Sequence, residues 1–232
     1  MTAGLPVPRR YQTMMRTILH LTPMAERSGT ALALVAALFL SGCGAIPDKF
    51  PTGGDGLGTN LAPSGDKYVG EFHNGRLNGQ GTVTFANGTE YVGTFTDDKL
   101  NGQGTATYLN GDRYDGMFKD NKRDGQGTLT SRGGSKYVGL FAADKPSGQG
   151  TLTFSNGGTY VGDFQGGKQT GQGTQTAPDG SKYVGGFRDG RFDGQGTLYA
   201  ADGSLVHAGQ WSGGKFVDPD QPKPASKAKK HQ

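Results

Sequence analysis

Chemistry in this chain begins with a single thiol. Cys43 is the only cysteine among 232 residues, so no disulfide can form within the chain. Beyond it the imidazoles are His73, His207 and His231, at no spacing that a metal site would use. No G-x-S-x-G and no Walker A phrase occurs, and none of the aspartates, Asp112 and Asp115 included, stands out as half of an acid pair. These absences predict a chain that is no enzyme and takes neither cofactor nor metal. What does recur is a set of binding-type side chains at constant spacing. Arg76, Lys99, Lys122, Lys145, Lys168, Arg191 and Lys215 form one column. Gln80, Gln103, Gln126, Gln149, Gln172 and Gln195 form a second, with a threonine two residues beyond each glutamine. Gly-Gln-Gly returns too regularly to be a phosphate loop.

The thiol has a telling setting. Residues 31–40, ALALVAALFL, form an apolar run too short for a helix to span a bilayer. A positive residue precedes it and small residues follow, which is a secretory pattern. Leu40-Ser41-Gly42-Cys43 resembles the bacterial lipobox. That resemblance implies a lipoprotein signal peptide over 1–42, cleavage before Cys43, and lipidation of Cys43 through its thiol and its new amine. Met24 opens a leader of more ordinary length and is an alternative start. Gly44, rather than aspartate, follows the cysteine; the resemblance then implies a bacterial cell envelope protein, lipid-anchored at the periplasmic face of the outer membrane. Two or three acyl chains make such anchoring stable.

Formal charge is +4, but it sits at the ends. Residues 1–42 carry +3 and residues 217–232 carry +2, which leaves the body at −1. No nucleic-acid partner is expected.

The elements that hold the columns follow from periodicity. Tyrosine stands at 68, 91, 114, 137, 160 and 183, every 23 residues. Each opens Y-[VD]-G-x-F and leads to G-Q-G-T. A worn last copy reads His207-Ala208-Gly209-Gln210-Trp211, one residue out of step. Gly56-Leu57-Gly58-Thr59 lies 23 residues before Gly79-Gln80-Gly81-Thr82, as a degenerate half-repeat. Atypical end units are expected of a stacked array. Tyr68, Gly70 and Phe72 alternate with Val69 and Glu71, so the phrase reads as a strand. HNGRLNG reads as a connection rich in turn formers. Gly81, Val83 and Phe85 then share one face of a second strand, and Asn87-Gly88 turns the chain back. Each unit is thus one β-hairpin. Gly70 and Gly81 sit between large residues, where the missing side chains let rings lie across the strands. One such hairpin buries too little to stand alone, so neighbours must pair. The predicted fold is all-β: an elongated, single-layer antiparallel meander of six to seven hairpin repeats, roughly 60 Å long at the usual strand spacing.

Three faces invite partners. The aromatic column of Tyr68, Phe72, Tyr91, Phe95, Tyr114, Phe118, Tyr137, Phe141, Tyr160, Phe164, Tyr183 and Phe187 is either a partner face or is covered by twist and ring stacking, because one sheet layer has no second layer to cover it. The basic column could follow an anionic lipid or polymer; Asp97, Asp98, Asp120, Asp124, Asp144, Asp189 and Asp193 beside it favour the plainer role of a solvated turn. The glutamine and threonine columns suit cross-strand hydrogen bonding.

The phrase Y-V-G-x-F…G-Q-G-T resembles the MORN repeat (membrane occupation and recognition nexus) over residues 56–216. That resemblance implies a non-catalytic protein-binding or scaffolding module, with acidic phospholipid as a further ligand class. The organisation expected is a signal peptide (1–42), a lipidated cysteine and tether (43–55), the array (56–216) and a Pro/Lys-rich disordered tail (217–232). Within the array, 56–67 is a half-repeat, full repeats run from Tyr68, and 207–216 is the worn last one. Expected partners are the membrane through the N-terminal lipid, a protein or a second copy of the chain, and anionic lipid as the alternative ligand.

Overall fold

The structure is a computed structural model that describes residues 55–219; Cys43, the leader, most of the tether and most of the tail lie outside the described residues. The strands are β1 Gly56–Leu61, β2 Lys67–His73, β3 Arg76–Thr84, β4 Glu90–Thr96, β5 Lys99–Thr107, β6 Arg113–Lys119, β7 Lys122–Thr130, β8 Lys136–Ala142, β9 Lys145–Thr153, β10 Thr159–Gln165, β11 Lys168–Thr176, β12 Lys182–Arg188, β13 Arg191–Tyr199, β14 Leu205–Ser212 and β15 Lys215–Phe216. They form one sheet in strict sequence order, every neighbour antiparallel. Among the described residues there is no helix, and so none able to cross a membrane.

Two kinds of turn alternate, and local residue types dictate both. The connection read from sequence as a loop over HNGRLNG is instead a two-residue turn, Asn74-Gly75, with β3 already under way at Arg76. Both turn residues have positive φ, as do Asp97 (47°) and Asp98 (66°) in the next unit. That is the type I′ geometry, whose twist matches the strands it joins, and Asn, Asp and Gly tolerate it best. The residues left over become a bulge: Gly70 faces Gly81 while Phe72 faces Leu77, so Glu71 alone opposes three residues. The second kind is a three-residue turn such as Ala86-Asn87-Gly88. There Gly88 N donates to Phe85 O, Phe85 N donates to Thr89 O, and Gly88 has φ of 87°.

The core lies on one face of this single layer. All twelve rings of the aromatic column are at most 9% exposed. They are sealed by one another, in an edge-to-face zigzag that links each unit to the next. Tyr114 meets Phe118 of its own hairpin and Phe141 of the following one, both at 5.0 Å. Tyr137 repeats this with Phe141 at 5.1 Å and Phe164 at 4.9 Å. Near-perpendicular pairs of this kind add about 0.5–1.5 kcal/mol each beyond burial.

Glycine makes the zigzag possible. A Cβ on Gly116 would lie 2.5 Å from the Cα of Gly127 on the paired strand and 2.5 Å from the Tyr114 hydroxyl. The tyrosine ring folds back over this glycine pair, and its hydroxyl donates to the Met117 carbonyl at 2.9 Å. Tyr137, Tyr160 and Tyr183 do the same to Leu140, Asp163 and Gly186. Burial raises the phenol pKa to about 12 at Tyr137 and Tyr183, and upward at Tyr114 and Tyr160.

Candidate functional site

Of the two readings open for the aromatic column, the covered one describes these residues: Tyr68, Phe72 and their ten successors are interior. Position on one face follows from period two, whereas exposure depends on how far the sheet bends around the glycine pairs.

A column that sequence reading passed over completes this core. Leu77, Leu100, Arg123, Pro146, Gln169 and Phe192 occupy the second position of the long strands and are all buried. Their types share nothing that would flag them. Arg123 is fully buried, with its guanidinium 5.7 Å from the Tyr114 ring centroid and 5.3 Å from that of Phe141. Its Nε donates to Asp144 Oδ1 at 3.2 Å and its Nη2 to the Asp144 carbonyl at 2.7 Å, while Nη1 has no hydrogen-bond partner among the described residues.

The basic column lies along the rim of type I′ turns, at the first residue of each long strand. Lys99, Lys122, Lys145, Lys168, Arg191 and Lys215 are exposed and Arg76 is half-buried. Lys99 reaches Asp120 of the next turn at 3.2 Å, and Lys168 reaches Asp189 at 3.1 Å. Both pairs are more than half exposed, where an ion pair is worth at most about 1 kcal/mol. Lys122 and Lys145, in the middle of the row, have no ion pair among the described residues.

The glutamine column hydrogen-bonds across strands. Gln80 Nε2 donates to Thr94 Oγ1 at 2.9 Å, Gln103 to Asp115 at 3.3 Å and Gln195 to Gln210 at 3.0 Å, and Gln149 also pairs with Asp163. It belongs to the outer face of the sheet, opposite the rings. Beside it runs a row that alternates along the sheet: Val69, Thr82, Val92, Thr105, Asp115, Thr128, Val138, Thr151, Val161, Thr174, Val184, Thr197. The five valines are 37–49% exposed, and Met117 and Leu140, opposite Gln103 and Gln126, are each 39% exposed. The signal for this row was present in the sequence. The second residue of Y-V-G-x-F and the threonine of G-Q-G-T share a register and a face. Among the described residues no three His, Cys, Asp or Glu side chains gather as metal ligands.

The described strands form an open ladder of hairpins with polar rims and one continuous outer face. The MORN repeat model matches residues 68–90, 91–113, 114–136, 137–159, 160–182 and 183–205, more than half of the chain. The chain therefore belongs to the MORN repeat proteins, which are generally non-catalytic binding modules. No characterised relative matches. Among solved structures it is similar to the TCP domain of SAS-4 (dCPAP) from Drosophila melanogaster, in complex with a proline-rich motif of Ana2 (dSTIL). That match has 14% identity and a TM-score of 0.42, and it covers 68% of this chain and 86% of the other. It is also similar to the wild-type TCP10 domain of Danio rerio CPAP, at 12% identity and TM-score 0.25, covering 71% and 97%.

Proposed function

We propose that this chain is a lipid-anchored, non-catalytic scaffold of the bacterial cell envelope, held at the periplasmic face of the outer membrane through Cys43, and that it binds a protein partner along the outer face of its sheet. One observation carries the choice of face. With the rings sealed inside, the Val/Thr row and its flanking glutamines are the extended apolar-polar surface left exposed. Half-exposed valines on five of the short strands, with Asp115 at the same place in β6, suit shallow apolar contact, and threonine and glutamine between them suit hydrogen bonding. Leu40-Ser41-Gly42-Cys43 supports the anchor, and the body's charge of −1 disfavours nucleic acid.

Crosslinking in intact envelopes and pull-down of the chain tests this. Enrichment of one protein, lost when Val92, Val138 and Val161 are changed to Lys, is the expected result. Retention of the same protein by the triple variant would move the site off this face. Enrichment of anionic lipid or an anionic envelope polymer alone would favour the alternative ligand, bound by the basic turn row around Lys122 and Lys145 together with the C-terminal tail. Cys43→Ser should release the chain to the soluble fraction, and continued membrane association would refute the anchor.

A further inference from the structure

The two ends of the sheet are halves of one missing strand. Every complete long strand, such as β3, has nine residues and pairs along both edges. At the C-terminal end, β14 receives only the start of such a strand. Phe216 and Lys215 pair with Trp211 and Ser212, Val217 N donates to Gln210 O, and Pro219 follows where the glutamine column would stand. By position Lys215, Phe216 and Val217 correspond to Arg76, Leu77 and Asn78. At the N-terminal end, β1 is six residues that correspond to Gly79–Thr84. It meets β2 in the same register that β3 uses with β4: Gly58 faces Gly70 and Thr59 faces Val69, just as Gly81 faces Gly93 and Thr82 faces Val92. One end thus holds the first three residues of a long strand and the other end holds the last six.

The glycines show the same vacancy from both sides. In β2, β4, β6, β8, β10 and β12 a Cβ on the central glycine would strike the backbone of the paired long strand. Gly209 of β14 has the same unusual backbone, φ of 145° against 155° and 158° at Gly70 and Gly185, yet among the described residues a Cβ there meets only the Phe216 ring, at 3.4 Å. Gly58 mirrors it. Among the described residues a Cβ there meets only Phe72, at 3.4 Å, whereas at Gly127, Gly150, Gly173 and Gly196 it would strike a tyrosine ring of the paired strand.

We propose that copies of this chain join head to tail, β14 of one pairing with β1 of the next in the register His207↔Asn60, Ala208↔Thr59 and Gly209↔Gly58, so that β15 and the incoming β1 together complete one nine-residue strand. Residues 1–54 contain no Y-x-G-x-F phrase to cover β1, and residues 220–232 contain no G-x-G-T phrase to cover β14. At the 23-residue spacing the central glycine before β1 is replaced by Pro47, whose ring forbids the φ that Gly70 adopts. β1 also lacks the lysine or proline that usually protects an edge, and it exposes Leu57 at 87% and Leu61 at 69%. Two unlike surfaces that match one another make a heterologous contact, which propagates as a filament unless it closes into a ring.

The test uses the whole chain in detergent, with wild type, whose one thiol is Cys43, as background. Thr59 and Ala208 are both exposed on the outer face. In the proposed joint their Cα atoms lie about 4.5–5.5 Å apart, within disulfide reach. Mild oxidation should crosslink a mixture of T59C and A208C chains into dimers, and the T59C/A208C double variant into a ladder. T59C joining to itself, which would mean β1 pairing with β1, or no mixed crosslink at all, overturns the proposal. Gly58→Val gives a second readout. It should leave thermal unfolding of the isolated chain unchanged and weaken self-association at least tenfold in sedimentation. Wild type and G58V sedimenting alike, or wild type remaining monomeric at about 100 µM, also overturns it.

Discussion

The first and second halves of the array hold the same hairpin in different ways. In the first half side chains clamp each turn to its predecessor. Asp98, Asn121 and Asp144, the second residues of their type I′ turns, accept from the backbone N–H of Leu77, Leu100 and Arg123, 21 residues earlier. On the opposite rim Asp66, Asp112 and Ser135 accept from the N–H of Ala86, Arg132 and Ser155. In the second half the first of these positions is Gly167, Gly190 and Gly214, whose own N–H groups still donate to Pro146, Gln169 and Phe192. There the rings are denser instead. Phe192 stacks on Tyr183 at 3.8 Å, Trp211 stands edge-on to Tyr183 at 5.2 Å and to Phe192 at 5.5 Å, and Trp211 Nε1 donates to Gly196 O. One repeat phrase therefore tolerates two sources of inter-unit adhesion, provided that the shared ring column and the turn backbone bond persist. Pro146 shows the logic most directly. It has no N–H to donate, and the turn residue 21 positions on is a glycine with no acceptor.

The largest effect tests what the halves share. Burial holds the tyrosines' folded pKa above the unfolded value near 10, up to about 12 at Tyr108, Tyr137 and Tyr183. The neutral phenol is the form the fold prefers, so this stability is fully present below pH 10 and is lost as pH rises through about 12. Circular dichroism should show both halves melting together across that window; a native spectrum above it would contradict the sealed core. Next, Trp211→Ala should cost about 3–5 kcal/mol and raise amide exchange through β12–β15 far more than in β2–β6. Uniform exchange would erase the contrast between the halves.

Arg123→Leu should raise the melting temperature, because Leu77 over Asp98 already shows the apolar version of that site. A gain on the order of 1 kcal/mol is expected because a buried, incompletely bonded cation is removed while Asp144 keeps the backbone N–H of residue 123, as Asp98 keeps that of Leu77; a loss would show that the carboxylate left without its cation, or the lost ring contacts, outweighs the desolvation of Arg123. The smallest test is the sharpest. Asp98→Gly should cost about 1 kcal/mol, and Gly190→Asp should recover roughly half as much by accepting from Gln169 N–H. Gly167→Asp should gain nothing, since Pro146 offers no donor. Equal gains at 167 and 190 in denaturant titrations would refute the clamp.

Much of this was legible beforehand. The all-β meander and its hairpin unit follow from the tyrosine spacing and from period two, and the described strands bear out both. HNGRLNG read as a loop because asparagine and glycine also populate long turns. Two of its residues suffice in type I′ geometry, and the remainder is absorbed as a bulge opposite Glu71. Arg123 and Gln169 were invisible as core residues because a charged or amide side chain at a strand's second position ordinarily faces water. The half-repeat at Gly56 follows from spacing alone, but its place as the edge strand among the described residues needed the register of β1 on β2.

By itself, then, the order of residues determined the repeat length, the strands, their pairing order and which side chains share a face, since all of these depend on local period and turn chemistry. Only the assembled sheet decided that the rings would be interior, that the valine row would be left outside and that the two ends would match. Those outcomes depend on how far each strand bends over its glycine pair and on what the next hairpin places there, distances that no single 23-residue phrase contains.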